Sequence, residues 1–108
     1  MATTFSKNRN RFASFGTISN LPSEIIDSLW IIIDLDLKGT VALQELITFN
    51  LTNNHGKLTV HFSQDDASIE MGIDLPFKYS ENFPNTIYAF DDGNNQTLLL
   101  PEEINQHK

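Results

Sequence analysis

The sequence predicts an α+β fold, with one main N-terminal helix packed on a mostly antiparallel β-sheet made of a meander plus a C-terminal hairpin. Three observations predict it. Leu21, Ile25, Ile26, Leu29, Trp30 and Ile33 recur at spacings of three and four, so they share one helical face. From Ile47 the period changes to two. Ile47, Phe49 and Leu51, then Leu58, Val60 and Phe62, alternate with Thr48, Asn50, Thr52, Thr59 and His61. Near the C-terminus two short apolar runs flank the turn cluster Asp91-Asp92-Gly93-Asn94-Asn95. A sheet with one apolar face needs a cover, and the helical stripe supplies one.

Taken in order, residues 1–8 are polar and read as a flexible arm before a single domain at 9–104, with a polar tail at 105–108. Arg11 to Ile18 reads as a strand, with Phe15 and Gly16 marking a bend or close packing. Ser19-Asn20-Leu21-Pro22 turns the chain into the helix. Asn20 is the expected cap, and Pro22 is tolerated because first-turn N–H groups lack intrahelical partners. Glu24 and Asp27 suit the positive end of the helix dipole. Lys38, four residues after Asp34, can pair with it weakly, and Gly39 is the expected left-handed stop. Ile31 and Ile32 fall off the stripe, which favours a helix covered on more than one side over an exposed contact.

The hairpin arms are Gln44 to Thr52 and Lys57 to Ser63, with Asn53-Asn54-His55-Gly56 as a four-residue loop. Gln64-Asp65-Asp66 makes a turn. Ser68 to Leu75 alternates again through Ile69, Met71, Ile73 and Leu75, giving a third strand that Pro76 ends. Residues 76–85 read as a surface loop carrying Phe77, Tyr79 and Phe83. Its rings either meet a partner, as hot-spot aromatics do, or plug the open edge of the core; the second is favoured. Thr86 to Phe90 and Gln96 to Leu100 pair across the acidic turn. Pro101 stops the last strand, and Glu102-Glu103-Ile104 makes one helical turn.

Composition narrows the function classes. A chain of 108 residues is one domain by default and buries roughly 60–70% of its unfolded surface. The absence of cysteine excludes disulfides, thiolate metal sites and a thiol nucleophile, and fits a reducing cytoplasm. No apolar run reaches signal-peptide or membrane-spanning length, so a soluble cytoplasmic protein is expected. The net charge is −7, unevenly spread. Lys7, Arg9 and Arg11 precede residue 16; from there on, four lysines face fourteen acids, a net −10. Such a body repels phosphate backbones and attracts basic surfaces, although acids of this kind often serve solubility alone.

The sharpest local motif is Asp34-Leu35-Asp36-Leu37-Lys38-Gly39-Thr40-Val41-Ala42-Leu43-Gln44-Glu45. It matches a calcium loop of the EF-hand type at Asp34, Asp36, Gly39, Val41 and Glu45. Lys38 puts a cation at a ligand position, and the period-two segment after the loop argues against the required second helix. The acidic pairs Asp65-Asp66, Asp91-Asp92 and Glu102-Glu103 fall in turns and read as exposed turn acids. His55, His61 and His107 lack a second ligand at short spacing. No nucleophile elbow or phosphate-binding glycine loop is present, so no catalytic residue, cofactor or metal is expected.

The run Arg11-Phe12-Ala13-Ser14-Phe15-Gly16, then Leu21-Pro22-Ser23-Glu24-Ile25, Leu29-Trp30-Ile31-Ile32-Ile33-Asp34 and Leu43-Gln44 with the strand to His61, resembles a family of small Firmicute proteins. That family is catalogued as domain of unknown function 960. The resemblance covers roughly residues 9 to 63; Phe62-Ser63-Gln64-Asp65-Asp66 departs from the family pattern. The family has no established activity, so the resemblance carries over no catalytic residues; it implies a setting in phages or mobile elements.

The expectation is therefore a small, acidic, non-enzymatic protein-binding module, a phage- or mobile-element-encoded accessory protein. Its partner would be a host or element protein with a basic surface, with no direct nucleic acid and no membrane. The candidate contact residues are Asp65, Asp66, Phe77, Tyr79, Phe83, Asp91 and Asp92. Two alternatives are an acidic nucleic-acid mimic of the anti-CRISPR or anti-restriction type, and a calcium-binding protein using loop 34–45.

Overall fold

A computed structural model of the chain describes residues 10–37, 44–64 and 71–106. Six strands form one sheet in the order β1-β6-β5-β2-β3-β4. The strands are β1 (Asn10–Ala13), β2 (Leu46–Asn54), β3 (Lys57–Ser63), β4 (Met71–Lys78), β5 (Thr86–Asp91) and β6 (Asn95–Leu99). Two helices, α1 (Phe15–Asn20) and α2 (Ser23–Ile31), lie between β1 and β2. A π-helical stretch, Ile32–Leu37, continues α2, and a 3-10 helix, Pro101–Gln106, comes after β6.

The α+β class is as expected, but the sheet is mixed rather than mostly antiparallel. β1 pairs with β6 in parallel, Phe12 opposite Thr97, while the other four pairings are antiparallel. Following those pairings across the sheet makes β1 and β2 parallel to each other. Parallel strands need a long connection, usually helical, and α1 with α2 is that connection. The main helix is thus a crossover between strands, not a leading N-terminal element.

Where a strand was expected from Arg11 to Ile18, the backbone turns helical at Phe15. Ser14 is the reason. Its extended backbone ends β1, and its Oγ accepts the Thr17 N–H at 3.1 Å, capping α1. Asn20 does not cap α2 as expected. It closes α1, its Nδ2 donating to the Gly16 carbonyl at 2.7 Å, and Pro22 precedes α2 with no side-chain cap. Lys38 and Gly39 lie outside the described residues.

Of the two residues off the stripe, Ile32 opens the π-helical stretch and is buried, and Ile31 stays exposed before it. The i→i+5 bonding of that stretch inserts a residue into the ladder and rotates the residues beyond it by about 100°. Ile32, Ile33 and Leu37 are all buried, whereas Ile31 and Leu35 face solvent. With Leu21, Ile25 and Leu29 they form one core with Ile47, Phe49, Leu51, Leu58, Val60, Phe62, Ile87 and Leu98 from the sheet.

The β2–β3 hairpin is tighter than expected. Asn54 pairs with Lys57, leaving a two-residue turn, His55 and Gly56, at φ 53° and 89°. Positive φ at both central positions is the type I′ signature, whose twist suits a hairpin. Asn53 Oδ1 accepts the Gly56 N–H at 2.7 Å and steadies it. Pro76 does not end β4, which runs through it to Lys78. β4 is an edge strand, and its register with β3 shifts between Lys57 and Thr59, so the missing N–H breaks no regular ladder. Of the expected strand from Ser68, residues 68–70 lie outside the described part.

Candidate functional site

Alternation along β1 turns Arg11 and Ala13 toward the helical layer. There Arg11 gathers partners from three elements. Nη1 donates to Asp34 Oδ2 at 2.8 Å and Nη2 to Asp34 Oδ1 at 2.7 Å. Nε donates to Gln96 Oε1 at 2.8 Å, and the guanidinium lies 4.8 Å from the Trp30 ring centroid. Gln96 is fully buried, and only 18% of the Arg11 side chain and 9% of the Asp34 side chain reach solvent. A planar fork on a carboxylate with an aromatic face beside it is a strong, directional arrangement. Arg11, grouped in the sequence with Lys7 and Arg9 as one basic cluster, is an internal clamp. No local signal reveals it, because its partners lie 23 and 85 residues away.

A second cluster fastens α1 to the 3-10 helix. Ser14 Oγ donates to Glu103 Oε1 at 2.6 Å, and Thr17 Oγ1 donates to the Leu98 carbonyl at 3.2 Å. Glu103 Oε1 also accepts the Leu100 N–H at 2.8 Å, and Oε2 accepts the Gly16 N–H at 3.3 Å. A Cβ on Gly16 would stand 2.7 Å from Leu100 Cδ1 and 3.0 Å from Glu103 Oε2, so the residue is small because the approach is close. Beside this latch lies a groove of about 380 Å³, lined by Asn20, Asn82, Asn85, Leu100, Pro101 and Glu102 among others.

The sequence-derived contact residues fall apart in space. Phe77, Tyr79 and Phe83 are half-buried against the core, and the Tyr79 and Phe83 rings meet edge-on at 6.0 Å. Phe77 stands in β4 and not in the expected surface loop at 76–85, which begins only at Tyr79. Asp91, the last residue of β5, and Asp92 after it lie at the strand's other end and shape the β5–β6 turn. Asp91 was expected exposed but is buried, its Oδ1 accepting the Gly93 N–H at 2.9 Å. Asp92 Oδ1 accepts the Asn94 and Asn95 N–H groups at 2.8 and 2.7 Å. Asp65 and Asp66 lie outside the described residues.

The described ends of loop 34–45 are not those of an EF-hand. Both Asp34 oxygens are bonded to Arg11, and the segment after Glu45 is strand β2. Residues 38–43 lie outside the described part. Among the described residues no three His, Cys, Asp or Glu side chains are grouped to hold a metal ion. No described helix is long and apolar enough to cross a membrane.

Sequence reasoning passed over the exposed apolar residues. Among the described residues, Phe12 on β1, Phe15 and Ile18 on α1, and Ile31 and Leu35 beyond them are the large hydrophobics left open; Phe15 is 83% exposed and Leu35 71%. The off-stripe position of Ile31 was the available signal. Its neighbour Ile32 is covered as expected, and Ile31 is not.

Set against known proteins, residues 10–103 match the family model described as "Staphylococcal protein of unknown function (DUF960)". The chain belongs to this family. A solved member-like structure, titled as the crystal structure of the protein of unknown function from Enterococcus faecalis, is similar over nearly its whole length. It shares 56% identity, covers 95% of this chain and 97% of its own, and superposes with a TM-score of 0.94. No curated protein matches the sequence. The family match begins at the first residue of β1 and ends at Glu103, so it holds both the Arg11 clamp and the Ser14–Glu103 latch.

Proposed function

We propose that this DUF960 protein is a non-enzymatic protein-binding module that docks through the apolar residues exposed on α1 and on the outer side of α2 and its π-helical continuation. One observation supports the reading above others. The large exposed hydrophobics among the described residues all come from one stretch, residues 12–35, and none from the sheet's meander. Single exposed apolar residues are ordinary; Phe15, Ile18, Ile31 and Leu35, left open along the helical connection between β1 and β2, favour a contact role for that layer.

The charge pattern adds the partner's chemistry. Glu24, Asp27, Ile31 and Leu35 succeed one another at spacings of three and four on the outer helical side, all exposed, with Asp36 beside them. An apolar socket rimmed by Lys or Arg complements such a ridge. The cysteine-free composition suits action in a reducing cytoplasm.

The test is photo-crosslinking in cells from position 15, repeated with Ile18→Asp and Leu35→Asp chains. One saturable protein partner is expected, lost in the variants while their melting temperature holds. Capture that is unsaturable, or equal in the variants, sinks the reading.

A further inference from the structure

We propose that the groove beside the Ser14–Glu103 latch binds an extended peptide segment bearing a Lys or Arg side chain. Three separate parts of the chain converge to build it. Asn20 ends α1, Asn82 and Asn85 lie in the loop before β5, and Leu100, Pro101 and Glu102 come after β6. Close packing of Gly16 on Leu100 and Glu103 sets the distance between the first wall and the third. The groove is therefore held by the fold rather than by a loop alone.

Its chemistry fits a peptide. Part of the loop's backbone is already committed: Asn85 O accepts the Leu51 N–H at 2.9 Å, the Asn82 N–H goes to Ser80 Oγ at 3.2 Å, and Pro84 has no N–H. What the groove offers is its side chains. Each carboxamide presents an acceptor and two donors, the complement of successive N–H and C=O groups on an extended chain. Asn20 spends one donor on Gly16 O and keeps its Oδ1 acceptor. Leu100, Pro84 and Pro101 supply apolar surface without an aromatic face, which suits an aliphatic stem better than a stacked ring. Exposed Glu102 is the counter-charge for the head of such a stem, and the net charge of −7 favours a basic ligand at longer range. The volume falls within the usual range of about 300–1,000 Å³ for a ligand site.

None of the five exposed hydrophobics is invoked, so this site and the apolar docking surface fail independently. The probe is a positional-scanning library of acetylated, amidated pentapeptides on the immobilised full chain, with a neutral oligosaccharide array in parallel. Lys or Arg should be selected over Gln at one position by about fivefold, and Glu102→Gln should abolish the preference. The selected peptide should shift the side-chain amide signals of Asn20, Asn82 and Asn85, and Asn82→Ala/Asn85→Ala should weaken it at unchanged melting temperature. No basic preference, a preference that survives Glu102→Gln, amide shifts elsewhere, or binding of oligosaccharide instead of peptide overturns the proposal.

Discussion

Arg11 and Asp34, 23 residues apart in the chain, meet as a two-pronged ion pair with contacts of 2.8 and 2.7 Å. The pair ties the edge strand β1 to the π-helical end of α2, and the third donor of Arg11 ties both to the buried Gln96 of β6. Removing one member leaves the other largely desolvated without its charge partner.

Arg11→Ala should therefore lower stability by about 2–4 kcal/mol, read from urea unfolding midpoints. Arg11→Lys should recover only a minor part, because an ammonium cannot bridge both Asp34 oxygens and Gln96 together. A double-mutant cycle with Asp34→Ala should show a coupling of about 1–2 kcal/mol. Additivity of the two single changes would show that the clamp contributes nothing beyond its parts.

Gly16→Ala should destabilise by about 1 kcal/mol. A methyl 2.7 Å from Leu100 Cδ1 forces repacking, and that cost exceeds the helix-propensity gain of about 0.5–1 kcal/mol. In a Leu100→Ala background the penalty should shrink or reverse. Equal penalties in the two backgrounds would place the strain elsewhere.

The β2–β3 turn separates two effects. Gly56→Ala places a side chain at φ 89° and should cost about 1–2 kcal/mol in thermal unfolding. His55→Asn, at φ 53°, puts a better left-handed residue at a type I′ position and should gain about 0.5 kcal/mol. A gain from Gly56→Ala would contradict the turn assignment.

Asp92→Ala removes the acceptor for the Asn94 and Asn95 N–H groups and should cost about 1–2 kcal/mol. Asp92→Asn keeps an oxygen there and should restore most of it. If both behave alike, the charge rather than the hydrogen bonds holds the turn.

Phe15→Asp should leave the melting curve within about 0.5 kcal/mol of the parent, since the side chain is 83% exposed. A large loss would mean that Phe15 packs somewhere in solution and is no free contact residue.

Much of the fold was legible in local pattern. The stripe from Leu21 to Ile33 announced a helix, and the alternation from Ile47 to Phe62 announced a hairpin, because each element must bury one face at its own period. The aromatics at 77–83 do pack on the core, but Phe77 does so from β4 rather than from a loop. Other features were visible but misjudged. A strand, a helix and another strand in succession is itself the signature of a parallel crossover, yet the period-two arms drew attention to antiparallel pairing. Ser14, three residues before Thr17, carried a capping signal that strand-like Arg11 to Ala13 obscured. The clamp and the groove had no local signal at all.

By itself, then, the sequence determined that the stretch after Pro22 coils, that the arms from Ile47 to Phe62 extend, and which of their faces goes inside, since those depend on spacing and side-chain chemistry within about ten residues. Tertiary structure alone decided that β1 lies beside β6, that Arg11 spends its charge on Asp34, that Asp91 is buried, and that Asn20, Asn82 and Glu102 share one groove. The physical reason is range. Hydrophobic periodicity is written residue by residue, whereas an ion pair or a groove wall exists only once distant segments have been brought within a few ångströms.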